Sequence, residues 1–140
     1  MKAYRLTGPR RLNLVTDAPD PTPEDGEVVL KVQYSSICGS DVHLNYEPTL
    51  PEERYPMFYG SPCHEIAGTI VESRNPRYAV GQRAIVLPTR GSGGLAQYIV
   101  QSPERIIPIP EWGPVDEWVM CQHSGTVLFS AKRWGNPAGK

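Results

Sequence analysis

Fifteen prolines and thirteen glycines are spread along the 140-residue chain rather than gathered into one linker. Proline fixes φ and removes a backbone donor, and glycine contributes no side chain to a packed element, so both interrupt regular structure. Punctuation of this density cuts a chain into short elements, as in an all-β barrel or sandwich. One stretch differs: residues 115–134 hold no proline and a single glycine, Gly125. Asp116 and Glu117 open that stretch and Lys132 and Arg133 close it, the charge order a helix dipole favours. Pro114 suits a first helical turn and Gly135 a stop. Trp118, Cys121, Val127, Leu128 and Ala131 leave an apolar stripe along it. The chain therefore reads as a mainly β unit followed by one long helix, interrupted near Gly125.

Within the β unit, residues 27–35 (EVVLKVQYS) alternate and form the strongest strand. Residues 3–6 and 12–16 read as an opening hairpin around 8–11, and 19–26 as a loop. Residues 38–45 suit a short helical turn, and 47–62, with four prolines, an irregular loop. The strand 65–73 carries Gly68 inside it, which marks a place where a neighbour approaches closely. Strands 83–87 and 95–100 are separated by the tight PTRGSGG segment, and 105–109 adds a short last strand.

The length is that of one ordinary domain, and 39% hydrophobic residues suffice for a core. Fourteen basic and fifteen acidic residues leave a net charge of −1 without long runs, which offers no electrostatic case for nucleic acid or an anionic membrane. No apolar run approaches the ~18 residues that span a bilayer. The opening MKAYRLTG reads as a strand without a signal-peptide core, so a cytoplasmic location is the default. The three cysteines do not suggest a disulfide scaffold.

Those three cysteines and the three histidines fall into three pairs: Cys38 with His43 (ICGSDVH), Cys63 with His64 (SPCHE), and Cys121 with His123 (MCQHS). A catalytic zinc takes three protein ligands and keeps one position open, and three separated segments can each supply one ligand. In a helical turn Asp41 lies near the face of Cys38, where its carboxylate can orient a histidine ligand from another segment. Ser40 can hydrogen-bond a substrate oxygen. His43, five residues on, faces elsewhere and is better suited to passing a proton to solvent. His64 is the candidate ligand of its pair, and because adjacent extended residues point to opposite sides, Cys63 is not expected to bind the same ion. Glu65 can pair with a basic group or approach the metal.

ICGSDVH followed by CHEIAG resembles the zinc-dependent medium-chain alcohol and polyol dehydrogenases, in their N-terminal GroES-like catalytic domain. The family pattern is Cys, Gly or Arg, Ser or Thr, Asp, then His two later, followed by Gly-His-Glu-x-x-Gly. Its later Gly-Asp-Arg-Val and Gly-Gly-Phe-Ala-Glu-Tyr resemble residues 80–84 (VGQRA) and 93–98 (GGLAQY) here. The likeness runs in order from residue 1 to about 134. It implies a partly open β-barrel with short helices over 1–113, and over 114–140 a C-terminal helix leading toward a Rossmann domain. It implies Cys38 and His64 as zinc ligands, Ser40 and His43 as a proton relay, Asp41 as the partner of the ligand histidine, and Glu65 as the acidic residue beside the zinc. The implied reaction is the reversible oxidation of a small-molecule alcohol to an aldehyde or ketone, with hydride passing to NAD or NADP. Full-length relatives are expected to be homo-oligomers.

Three departures from the pattern follow. Cys63 replaces the glycine before the family's His-Glu. The four-cysteine lobe that carries a second, structural zinc in many members has no counterpart, since residues 88–94 contain no cysteine, so one catalytic zinc and no structural zinc are expected. The late-helix ligand, Cys, Glu or Asp in the family, aligns with Gln122 on the helix body and with Cys121 after a one-residue shift. Glu65, His123 or no third protein ligand complete the alternatives. The sequence also has no Gly-x-Gly-x-x-Gly turn and ends near where the first Rossmann strand would begin, so the chain reads as truncated and inactive alone. The competing reading is a non-enzymatic GroES-like metal-binding or interaction module, which would have no use for a proton relay.

Overall fold

The computed structural model of the protein describes residues 1–88 and 91–135. Strands β1 (Ala3–Gly8) and β2 (Arg11–Val15) form the expected hairpin, with Arg10 in the turn at φ 57°. The second sheet contains β3 (Val28–Ser36), β4 (Glu65–Ser73), β5 (Arg83–Val86), β6 (Tyr98–Gln101) and β7 (Ile106–Pro108). Its order is β6-β3-β4-β5-β7, every pair antiparallel. The two sheets do not close into a complete barrel among the described residues. The fold is the mainly β, partly open architecture expected from the sequence.

Alternation along the central strands decides what each face buries. Leu30, Ile66, Ile70, Ala84 and Val86 project to one side and, with Val28, Ile99 and Ile106, build the main core. Ala67 and Ile85 point the other way and meet Ile109 and Val119 in a smaller cluster. Of the two nine-residue strands, β4 is therefore buried on both faces over Glu65–Gly68, whereas β3 is buried over Val28–Leu30 and more open beyond.

Residues 95–97, expected as part of a strand, instead pair with the start of β1. Tyr4 N–H donates to Leu95 O (2.7 Å), Gln97 N–H donates to Lys2 O (3.1 Å), and Ala3 bridges Ala96. This delays β6 to Tyr98 and stitches the hairpin to the larger sheet. The tight segment 88–94 is described only in part, since Thr89 and Arg90 lie outside the described residues, as do the last five residues of the sequence.

The late helix departs from expectation in where it breaks. It is two pieces, α2 (Val115–Trp118) and α3 (Cys121–Trp134), and α3 runs unbroken through Gly125. The break falls at Val119 and Met120, where Met120 N–H reaches back to Glu117 O (3.2 Å) and Gln122 N–H to Val119 O (3.4 Å). Both are tightened three-residue steps. Val119, 5% exposed, is the residue drawn into the sheet's second face. The expected stripe of Cys121, Val127, Leu128 and Ala131 is exposed, because only the first turns of the helix lie against the sheet. No helix among the described residues is long and apolar enough to cross a membrane.

Gly68 sits opposite an irregularity in β3, where the register shifts between Val32 and Tyr34. A Cβ at Gly68 would lie 2.1 Å from the Lys31 carbonyl oxygen, a backbone atom that cannot rotate away. Gly68→Ala is expected to destabilise the fold by about 1–3 kcal/mol, the range for overpacked cores, read as a lower urea midpoint at unchanged slope.

Candidate metal centre

The pairing of β3 with β4 assembles the site. Ser36, the last residue of β3, is opposite Glu65, the first of β4. The chain reaches Cys38 two residues after leaving β3, and His64 immediately precedes β4. Cys38 Sγ, a His64 ring nitrogen and a Glu65 carboxylate oxygen consequently all lie within 4.8 Å of one another.

Asp41 orients this group. It ends the single helical turn α1 (Gly39–Asp41), where its backbone N–H donates to Cys38 O at 3.0 Å. Its carboxylate Oδ2 accepts from Cys38 N–H at 3.0 Å, and Oδ1 lies 2.7 Å from His64 Nδ1. Asp41 is 1% exposed. An ionised carboxylate can only accept, so His64 donates from Nδ1 and keeps Nε2 as a free lone pair, 4.0 Å from Glu65 Oε1. The chain then makes a π-helical turn over Val42–Tyr46, in which His43 is exposed.

The segment carrying His64 is held by close backbone packing against residues 93–95. Gly60 has φ 83°, and a Cβ there would sit 2.1 Å from Gly93 O. Gly94 N–H donates to Cys63 O (2.8 Å) and Leu95 N–H to Gly60 O (3.0 Å). Cys63 turns away from the metal-ligand group. Its thiol donates to Ser36 O at 3.3 Å and borders an apolar cavity with Leu12, Ile37 and Tyr46. Burial pushes the Cys63 thiol pKa up, with smaller electrostatic contributions from Asp41 and Glu65 in the same direction.

The first turn of α3 forms the opposite wall. Gln122 Nε2 donates to His64 O at 3.0 Å, and His123 Nε2 lies 2.8 Å from Glu65 Oε1. Cys38, Ser40, His64, Glu65, Gln122 and His123 line one cleft of about 290 Å³. Cys121 is not part of it. Its side chain is exposed and borders a separate hollow beside Trp112 and Trp118. Of the late-helix alternatives, the structure brings Gln122 and His123 to the cleft and turns Cys121 outward. Glu65, from β4, is the third member of the converging group.

The polar balance of the cleft suits a cation. Asp41 and Glu65 are 1% and 3% exposed, and their ion-pair partners among the described residues are histidines, with no lysine or arginine. Glu65 Oε2, Gln122 Oε1 and His123 Nδ1 are buried without a hydrogen-bond partner. Such groups are costly unless something satisfies them. Thiolate, imidazole and carboxylate are zinc's usual protein donors, so the residues fit that ion. The sequence did not reveal the clamp from Gln122 to the His64 carbonyl or the contact between His123 and Glu65. Both depend on how α3 docks, for which no local pattern exists.

The model of the alcohol dehydrogenase GroES-like domain matches residues 24–111. The chain belongs to this family. It is 36% identical over 91 residues to a zinc-type alcohol dehydrogenase-like protein of Haemophilus influenzae, covering 63% of this chain and 25% of that protein. With the NAD-dependent alcohol dehydrogenase of Sulfurisphaera tokodaii it shares 28% identity over 138 residues, covering 88% of this chain and 39% of the relative. The 2R,3R-butanediol dehydrogenase of Bacillus subtilis superposes with a TM-score of 0.75 at 23% identity, over 92% of this chain and 46% of that one, a likeness of fold. The matches thus span from a quarter to just under half the length of these relatives.

Two outcomes follow from the site as built. Asp41→Ala removes the acceptor of the Cys38 N–H and the His64 Nδ1–H, both only partly buried, and unfolding in urea should show a loss of about 1 kcal/mol. In thiol-labelling of the folded protein at neutral pH, Cys121 should react readily, whereas Cys63, 1% exposed and held protonated by burial, should label only on unfolding.

Proposed function

We propose that this chain is the catalytic zinc domain of an NAD(P)-dependent alcohol or polyol dehydrogenase, acting on a small-molecule alcohol and its aldehyde or ketone. The observation that carries the reading is the convergence of Cys38, His64 and Glu65 in a cleft where, among the described residues, the basic side chains beside Glu65 are histidines. Cys38, His64 and Glu65 hold the ion, with the first turn of α3 closing the wall. Zinc supplies Lewis-acid chemistry there, lowering the pKa of an alcohol and polarising a carbonyl. Asp41 fixes the tautomer and plane of His64. Ser40, on the cleft wall, offers its hydroxyl to the substrate oxygen, and the exposed His43 carries the proton on to solvent.

Residues 1–113 form the catalytic unit in this reading, and 114–140 a helix and the start of a connection. The hydride acceptor, NAD or NADP, belongs to a nucleotide-binding unit outside this sequence, which has no Gly-x-Gly-x-x-Gly turn. Turnover by the chain alone is therefore not expected, and a single catalytic zinc is.

Elemental analysis of the purified protein tests the metal reading. About one zinc per chain is expected for the wild type, lost in Cys38→Ala and retained in Cys121→Ala. Zinc bound equally well by Cys38→Ala would sink the assignment.

A further inference from the structure

We propose that His123 is a positioning residue of the metal centre: it anchors Oε1 of Glu65 and so fixes the carboxylate beside Cys38 and His64. The proposal rests on the metal-centre reading above. Glu65 opens β4 and is 3% exposed, yet no lysine or arginine pairs with it among the described residues. Its Oε1 lies 2.8 Å from His123 Nε2, and its Oε2 is buried with no hydrogen-bond partner among the described residues. An ionised carboxylate is acceptor-only, so His123 donates from Nε2 and Oε1 is engaged. The same Oε1 lies 4.0 Å from His64 Nε2, so the oxygen that His123 holds is one that faces the ligand histidine.

A glutamate has three rotatable side-chain bonds, and its two oxygens can bind an ion singly or together. A fixed donor on Oε1 removes that freedom. Carboxylate ligands are commonly held this way by a hydrogen-bond partner, whose loss weakens metal binding. His123 is itself well placed to be rigid. It follows Gln122, whose side chain is tied to the His64 carbonyl at 3.0 Å, so the α3 turn carrying His123 is anchored to the segment carrying a ligand. The geometry favours positioning over direct ligation, because His123 lies outside the group of donor atoms within 4.8 Å of one another. Its Nε2 is already committed to Glu65. His123 thus does for the carboxylate what Asp41 does for His64, from the opposite wall.

Cobalt(II) titration of the purified protein tests this through the electronic spectrum as well as the affinity. The wild type is expected to show a thiolate-to-cobalt charge-transfer band and resolved d–d bands. His123→Ala should weaken Co2+ binding about 10–100-fold and shift the d–d bands with the thiolate band kept, and the metal-free variant should unfold at a lower urea midpoint because a buried carboxylate oxygen loses its donor. His123→Gln, whose amide nitrogen can reach the same oxygen, should keep the wild-type spectrum and an affinity within a few-fold of it. In Glu65→Gln, adding His123→Ala should cost nothing further. Wild-type affinity and spectrum in His123→Ala would overturn the proposal. So would a His123→Gln variant as weak as His123→Ala, or losses that multiply in the double variant. Absence of the thiolate band in the wild type, or its survival in Cys38→Ala, would instead overturn the metal-centre reading on which the proposal rests.

Discussion

The antiparallel pairing of β3 with β4 is the constraint on which both core and site depend. Each strand is nine residues long, and their ladder runs from Val28 opposite Ser73 to Ser36 opposite Glu65. One end of the ladder lies in the main core. The other end releases the chain at Cys38 and takes it back at His64, so the register that buries Leu30, Ile66 and Ile70 also sets the spacing of the metal-ligand group. A one-residue slip would move the apolar residues to the wrong faces and carry Glu65 away from Cys38. Burial in the core, worth roughly 1.5–3 kcal/mol for each large apolar side chain, therefore enforces geometry at a site that contributes little apolar area of its own.

At that end of the ladder the electrostatics run against folding unless a cation is supplied. Two carboxylates are almost fully buried, and the basic side chains beside them among the described residues are imidazoles. Asp41 is well satisfied by the Cys38 N–H and the His64 ring. Glu65 is half satisfied, with one oxygen held and the other without a partner. The orphaned oxygen is a cost the apoprotein bears and a cation would relieve. The same balance explains why the cleft is walled by polar side chains on both sides, whereas the cavity on the far side of Cys63 is apolar.

Much of the fold was legible from local pattern. The strand read at 27–35, the hairpin turn at 8–11 and the proline-rich loop after Glu47 all lie in short-range physics, and the structure follows them within a residue or two. The placement of Gly68 inside a strand signalled a close approach, and the Lys31 carbonyl is what approaches. The late helix was less legible. Its composition announces a helix, but the break depends on Val119 finding the pocket between Ala67, Ile85 and Ile109, a contact between distant segments. The stripe read from spacing was correct as a pattern and wrong as a core, because most of α3 extends past the sheet.

By itself, the sequence determined the β-rich, heavily punctuated architecture, the family, and the residues Cys38, Asp41 and His64, because these sit in compact motifs whose chemistry is local. Tertiary structure alone decided which late-helix residues face the cleft. Cys121, Gln122 and His123 are consecutive on one helix, and which of them faces the cleft depends on the rotation of α3 about its axis. Each successive residue turns about 100° around that axis, so identity and spacing leave the choice open. The anchor from Gln122 to the His64 carbonyl sets the rotation, turning Cys121 to solvent and His123 onto Glu65.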